Sequence, residues 1–189
     1  MIKIFRKRLK ISSLFFLLLI TVCLSFTVAA QKRDNLTDKE DLQVREAQEL
    51  DLRMKVFVKI IERRFLALTD SNAVNNKQVQ KDIDDWGELR TGESKDLLWD
   101  IQKTIDESIQ KLDDAAERDQ KNPLFGKAVH ILADACKKWL PQLKATFDKT
   151  TDEKERGLIM TSIEYCNQVI EASAKVSKEV PKEEKKKKN

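Results

Sequence analysis

Residues 37–69, TDKEDLQVREAQELDLRMKVFVKIIERRFLALT, decide the fold class. The stretch opens on Thr37-Asp38-Lys39-Glu40, a capping box: the Thr hydroxyl accepts the N3 amide while the Glu side chain reaches back to the Thr amide. Behind it Ala47, Leu50, Met54, Phe57, Ile61, Phe65 and Leu68 recur at steps of three and four, which is one apolar stripe along a helix. The spacing predicts a single first helix from Thr37 to about Thr69, roughly 45–50 Å long.

Working outward, a polar linker at 70–77 gives way to Val79, Ile83 and Trp86, again at helical spacing, predicting a short crossover helix over about 77–90. Gly87 and Gly92 favour a break after it. One fused helix over 77–120 is the alternative, because 79, 83, 86, 97 and 101 stay nearly in phase. Leu98, Ile101, Ile105, Ile109, Leu112 and Ala116 then mark a helix from Ser94 to about Gln120. Asn122-Pro123 supplies an N-cap and a Pro at the first helical position. The helix that follows carries Leu124, Ala128, Ile131, Leu132, Ala135, Trp139, Leu143 and Phe147 on one face, with Pro141 expected to kink it. Asp152 and Glu155 form a second cap, and Ile159, Ile163, Cys166, Val169, Ile170 and Ser173 make the last stripe, fading near Val176.

The composition agrees. With 41% hydrophobic and 36% charged residues but only four Gly and three Pro in 189, the chain has few tight turns and is neither collagenous nor low-complexity. The expected architecture is all-α: a four-helix up-down bundle with a short extra crossover helix, after an N-terminal signal or anchor segment. The corresponding domains are a leader at 1–30, a short linker at 31–36, the helical bundle at 37–177 and a disordered Lys-rich tail at 178–189.

The leader reading rests on Lys3, Arg6, Lys7, Arg8 and Lys10, followed by 20 uncharged residues, 11–30. That is the charge-then-apolar order of a secretory signal, and Val28, Ala29 and Ala30 predict cleavage before Gln31. The alternative is an uncleaved anchor, since about 20 apolar residues span a bilayer. Lipidation at Cys23 is disfavoured by Val22 before it. Either way the rest of the chain is expected outside the cytoplasm, periplasmic or secreted, or membrane-anchored at its N-terminus.

Removing the leader changes the charge argument. The chain carries +4 and the leader holds five cations and no acid, so the remainder stands at −1. The basic pI therefore belongs to the leader, and a nucleic-acid partner is not expected. The tail is the basic exception; Lys185, Lys186, Lys187 and Lys188 are expected to make weak contact with an anionic membrane or wall polymer.

Two Cys remain after cleavage, Cys136 and Cys166, both on inward stripes. A turn centred near residue 150 places them at one level on antiparallel helices, within about 1.5 Å axially. A disulfide between them is expected in an oxidising compartment, stabilising the fold by roughly 3–4 kcal/mol through its loop.

No chemistry-bearing constellation accompanies this scaffold. His130 is the single His; with Asp134 it makes at most one pair, where zinc sites want three or four ligands. Asp82, Asp84 and Asp85 lack a Gly-containing calcium loop, and no phosphate loop or nucleophile elbow occurs. No catalytic residue, metal site or cofactor is predicted. Trp86 and Trp139 are the candidate ligand or partner surface. The functional expectation is a non-enzymatic envelope protein acting through protein–protein contacts or self-association, with a small-ligand-binding or sensor-type bundle as the alternative.

Overall fold

The computed structural model describes residues 34–118 and 122–177. The leader with Cys23, and the Lys-rich tail with Lys185, Lys186, Lys187 and Lys188, lie outside the described residues. Among the described residues the protein is all-helical: α1 (Asp38–Glu46), α2 (Leu50–Thr69), a 3-10 turn (Ala73–Asn75), α3 (Lys77–Lys81), α4 (Ile83–Trp86), α5 (Ser94–Arg118), α6 (Phe125–Lys149) and α7 (Glu153–Ser173).

The capping box that starts α1 is complete, with the Glu40 amide donating to Thr37 Oγ1 at 3.3 Å and the Thr37 amide donating to Glu40 Oε2 at 3.0 Å. The single first helix expected from Thr37 is instead two. The chain leaves helical geometry at Ala47, whose ψ is 85°, and restarts at Leu50. The freed Ala47 carbonyl accepts a hydrogen bond from Arg53 Nε at 3.0 Å, so the corner between the two helices is held by a side chain of the second. Because Ala47 and Leu50 are both buried, the apolar stripe runs straight through this corner.

The crossover also divides further than expected, into the 3-10 turn, α3 and α4, and it does not fuse with α5. Gly87 ends α4 at φ +70°, a left-handed conformation that side chains other than Gly rarely adopt. At α6 the expected start moves by two residues. Asn122 Oδ1 accepts from the Leu124 amide at 2.9 Å, making a turn that carries Pro123, and helical structure begins at Phe125. Pro141 lies within α6 as read, and Asp152 caps α7 by accepting from the amides of Lys154 and Glu155.

Residues of α2, α5, α6 and α7 make most of the main core, and Leu36 and Val44 join it from outside those helices. α2 packs on α5 and α6, α7 packs on α6 and α5, and α2 does not meet α7. α5 and α6, consecutive in the chain, meet less than either meets α7. Met54, Phe57, Ile60 and Ile61 of α2, Ile101 and Ile105 of α5, Leu132 and Leu143 of α6 and Ile159 of α7 are fully buried there. A smaller cluster of Ala73, Val79 and Leu89 closes beneath the crossover against Leu66 and Ala67.

Candidate functional site

The most strongly organised polar group is internal. Arg64, fully buried on α2, donates Nη1 and Nη2 to the two oxygens of Glu40 at 2.8 and 2.5 Å, Nε to Asp100 Oδ2 at 3.1 Å, and Nη2 again to the Asn35 carbonyl at 3.1 Å. One guanidinium thus joins α1, α2 and α5. Along α5 the buried residues Asp100, Thr104 and Ser108 form a polar row, each hydroxyl donating to the carbonyl four residues back, at 2.7 Å. Asn35 Nδ2 reaches Thr104 Oγ1 and Glu107 Oε2, both at 3.3 Å. Residues 34–36, expected to be a linker, are therefore packed, and Leu36 is buried.

Arg63 lies beside this cluster. Its Nη2 donates to the carbonyls of Gly87 and Glu88 at 2.9 and 3.0 Å, and its Nε stands 3.7 Å from Glu40. Burial holds its guanidinium below the ordinary Arg value. Lys39 Nζ and Gln43 Nε2 donate to the carbonyls of Asp84 and Asp85, fastening α1 to the crossover. These contacts pair buried charge and fix elements to one another.

Of the predicted site residues, Cys136 and Cys166 are brought together as free, fully buried thiols, not as the expected bridge. The Cys136 thiol is pushed up by its hydrogen bond with Cys166 and by burial. Trp139 belongs to the interior, 1% exposed, its ring 6.2 Å from that of Phe65, and its Nε1 has no hydrogen-bond partner. It offers no surface. Trp86 is half-buried on the crossover with Lys59 Nζ 6.0 Å from its ring centre. Lys59 also binds Asp82 at 2.6 Å, and that hydrogen bond holds the Asp82 carboxyl below its usual range.

His130 Nε2 contacts the Val176 carbonyl at 3.0 Å, and Asp134 pairs with Lys137 at 3.1 Å. Among the described residues no group of three or more His, Cys, Asp or Glu is arranged to hold a metal ion. Likewise, no described helix is long and apolar enough to cross a membrane.

The surface feature that sequence reading missed is on α7. A groove of about 820 Å³ runs along it, lined by Phe147, Gly157, Met160 and Ile163, with Glu164 and Glu171 among its polar residues. Met160 is 59% exposed, more than any other large apolar side chain among the described residues. Gly157 deepens the groove, since nothing lies within 4 Å of where its Cβ would stand. The signal was a Met one residue past the buried Ile159, off the inward face and three residues before Ile163.

No protein-family model, curated protein or solved structure matches the chain. Its function therefore rests on its own residues.

Proposed function

We propose that this protein is an exported, non-enzymatic four-helix bundle of up-down direction, with α1 and the crossover as outer additions, that works by binding a protein partner through the α7 groove. The observation that carries the reading is the groove itself: an apolar floor including the exposed Met160, with the carboxylate of Glu164 in its lining and that of Glu171 paired with Lys175 at 2.9 Å. That chemistry suits an amphipathic partner helix whose flanks carry Lys or Arg. The leader at 1–30 supports export and a site of action outside the cytoplasm.

The test is titration of the purified protein with a labelled amphipathic Leu/Lys helix peptide and its Leu/Glu counterpart, followed by fluorescence anisotropy. Saturable binding of the basic peptide alone, weakened at least tenfold by Met160→Asp and by Glu164→Lys, is expected. Equal binding by the Met160→Asp variant would overturn the groove assignment, and a dimer dissolved by Met160→Asp would replace the partner with a second copy. The ligand-binding alternative is favoured by one observation, the orphaned Trp139 Nε1 donor in the core. A change in Trp fluorescence on addition of a small hydrogen-bond acceptor would support it.

A further inference from the structure

Two stretches outside the long helices, α1 with its lead-in (34–47) and the crossover (70–93), lie side by side and hold each other. Arg90 Nη1 donates to the Asp34 carbonyl at 2.7 Å, Lys39 Nζ to that of Asp84 at 3.4 Å and Gln43 Nε2 to that of Asp85 at 3.2 Å. Gly87 comes so close to α1 that a Cβ there would stand 3.3 Å from the stem of Lys39. Among the described helices α1 packs on α2 and α4 alone, and α4 on α1 and α3 alone.

Little apolar surface anchors either stretch. α1 buries one apolar side chain, Val44, and the crossover helices bury one, Val79, which sits with Ala73 and Leu89 in a cluster separate from the main core. Trp86 adds a half-buried contact with the main core. The stronger fastening comes from three cations of α2 within the stretch 59–64. Lys59 pairs with Asp82 at 2.6 Å, Arg63 donates to the carbonyls of Gly87 and Glu88, and Arg64 clasps Glu40. Arg63 serves both stretches, since its Nε also stands 3.7 Å from Glu40. Its Nε and Nη1 have no hydrogen-bond partner although the side chain is buried. Opening this seam gives both donors water, which lowers its cost.

We propose that the two stretches form one lid, which opens and closes as a unit over the intact long helices and, while shut, keeps the cationic face of α2 covered. Their hinges lie at opposite ends of α2, at the Ala47–Glu49 corner and after Thr69, so chain connectivity does not couple them. The contacts between them do. Either stretch released by itself loses its ties to α2 and its ties to the other stretch, whereas joint opening keeps the latter. Elements with few buried apolar contacts are also those that open below global unfolding.

The experiment is native-state hydrogen exchange of the full chain, read by peptide mass spectrometry, for the wild type and for Val79→Ala, Val44→Ala and Leu132→Ala. In the wild type, peptides of α1 and of α3 and α4 are expected to show matching protection, at least about tenfold below that of the buried parts of α5 and α6. Val79→Ala alters a cluster that contains no residue of α1, yet it should speed exchange in α1 and in the crossover alike, by about five- to thirtyfold. Val44→Ala should do the same from the other side. Leu132 lies on α6, which packs on neither α1 nor the crossover helices, and it stays buried when the lid is open. Leu132→Ala should therefore speed exchange in α5 and α6 and leave the lid peptides unchanged.

Val79→Ala that quickens the crossover and not α1 would split the lid into two independent pieces and overturn the proposal. Lid peptides as protected as the core, and quickened by Leu132→Ala, would overturn it too, because α1 and the crossover would then leave only when the whole chain unfolds.

Discussion

Glu40 and Arg64 are 24 residues apart, yet they share two hydrogen bonds of 2.8 and 2.5 Å with both side chains fully buried. In one continuous helix they would stand about 36 Å apart. The contact exists because the chain turns back at Ala47, and it explains why α1 stays against the bundle with so few apolar residues of its own, Val44 being its one buried apolar side chain.

Removing the cation from this group is expected to be costly. Arg64→Met takes from the buried Glu40 its bidentate partner and from Asp100 the Nε donor, leaving Arg63 at 3.7 Å and Arg90 at 3.4 Å as the nearby cations, and a loss of about 3–5 kcal/mol is expected. Urea denaturation at pH 7 reads it directly.

Asp51 sets an acid limit on stability. The hydrogen bond from Lys127, at 2.6 Å, holds its carboxyl below the usual Asp range despite burial. A depressed folded-state value means the contribution is present above the unfolded Asp value near 3.8 and is lost as pH falls through the folded value. Urea midpoints measured from pH 7 down to pH 2 should fall below about pH 4, and Asp51→Asn should flatten that limb. An unchanged acid limb in the variant would assign it to other carboxylates.

Two glycines give opposite expectations. A Cβ on Gly126 would stand 1.9 Å from the Ser177 carbonyl oxygen, where the chain after α7 crosses the start of α6. Gly126→Ala is therefore expected to expel that crossing, break the His130–Val176 contact and expose the C-terminal residues to limited proteolysis. Gly157, with open space around it in mid-helix, should accept Ala and gain about 0.5–1 kcal/mol. Thermal denaturation of the two variants side by side checks both.

The core prediction concerns Leu132, fully buried on α6. Leu132→Ala should cost about 2–5 kcal/mol, within the range set by how far the site can collapse. A urea midpoint unchanged by that substitution would mean α6 does not belong to the cooperative unit.

Much of this architecture was legible because its signals are local. The Thr37–Glu40 and Asp152 caps and the stripes of the four long helices need only residues within a few turns of each other. The corner at Ala47–Glu49 was not, since it carries neither Gly nor Pro and the apolar phase passes through it unbroken. A clue was nonetheless present. Arg64 falls three residues after Ile61 and four before Leu68, on the inward face, and a charge there requires a partner from another element. The same holds for Asp100, Thr104 and Ser108 at steps of four, a polar row that had to be covered by something able to hydrogen-bond it. Those partners are distant in sequence, and spacing alone names no distant partner. The α7 groove escaped for a related reason, because an exposed Met has meaning only beside Phe147 of the preceding helix.

The corner at Ala47 also bears on timing. A chain delivered N-terminus first presents Glu40 before the guanidinium that will hold it exists, since Arg64 follows by 24 residues. At synthesis rates of about 5–20 residues per second, that partner arrives roughly 1–5 s late. For those seconds Glu40 lacks the guanidinium that will hold it, and α1 is open to whatever receives the growing chain.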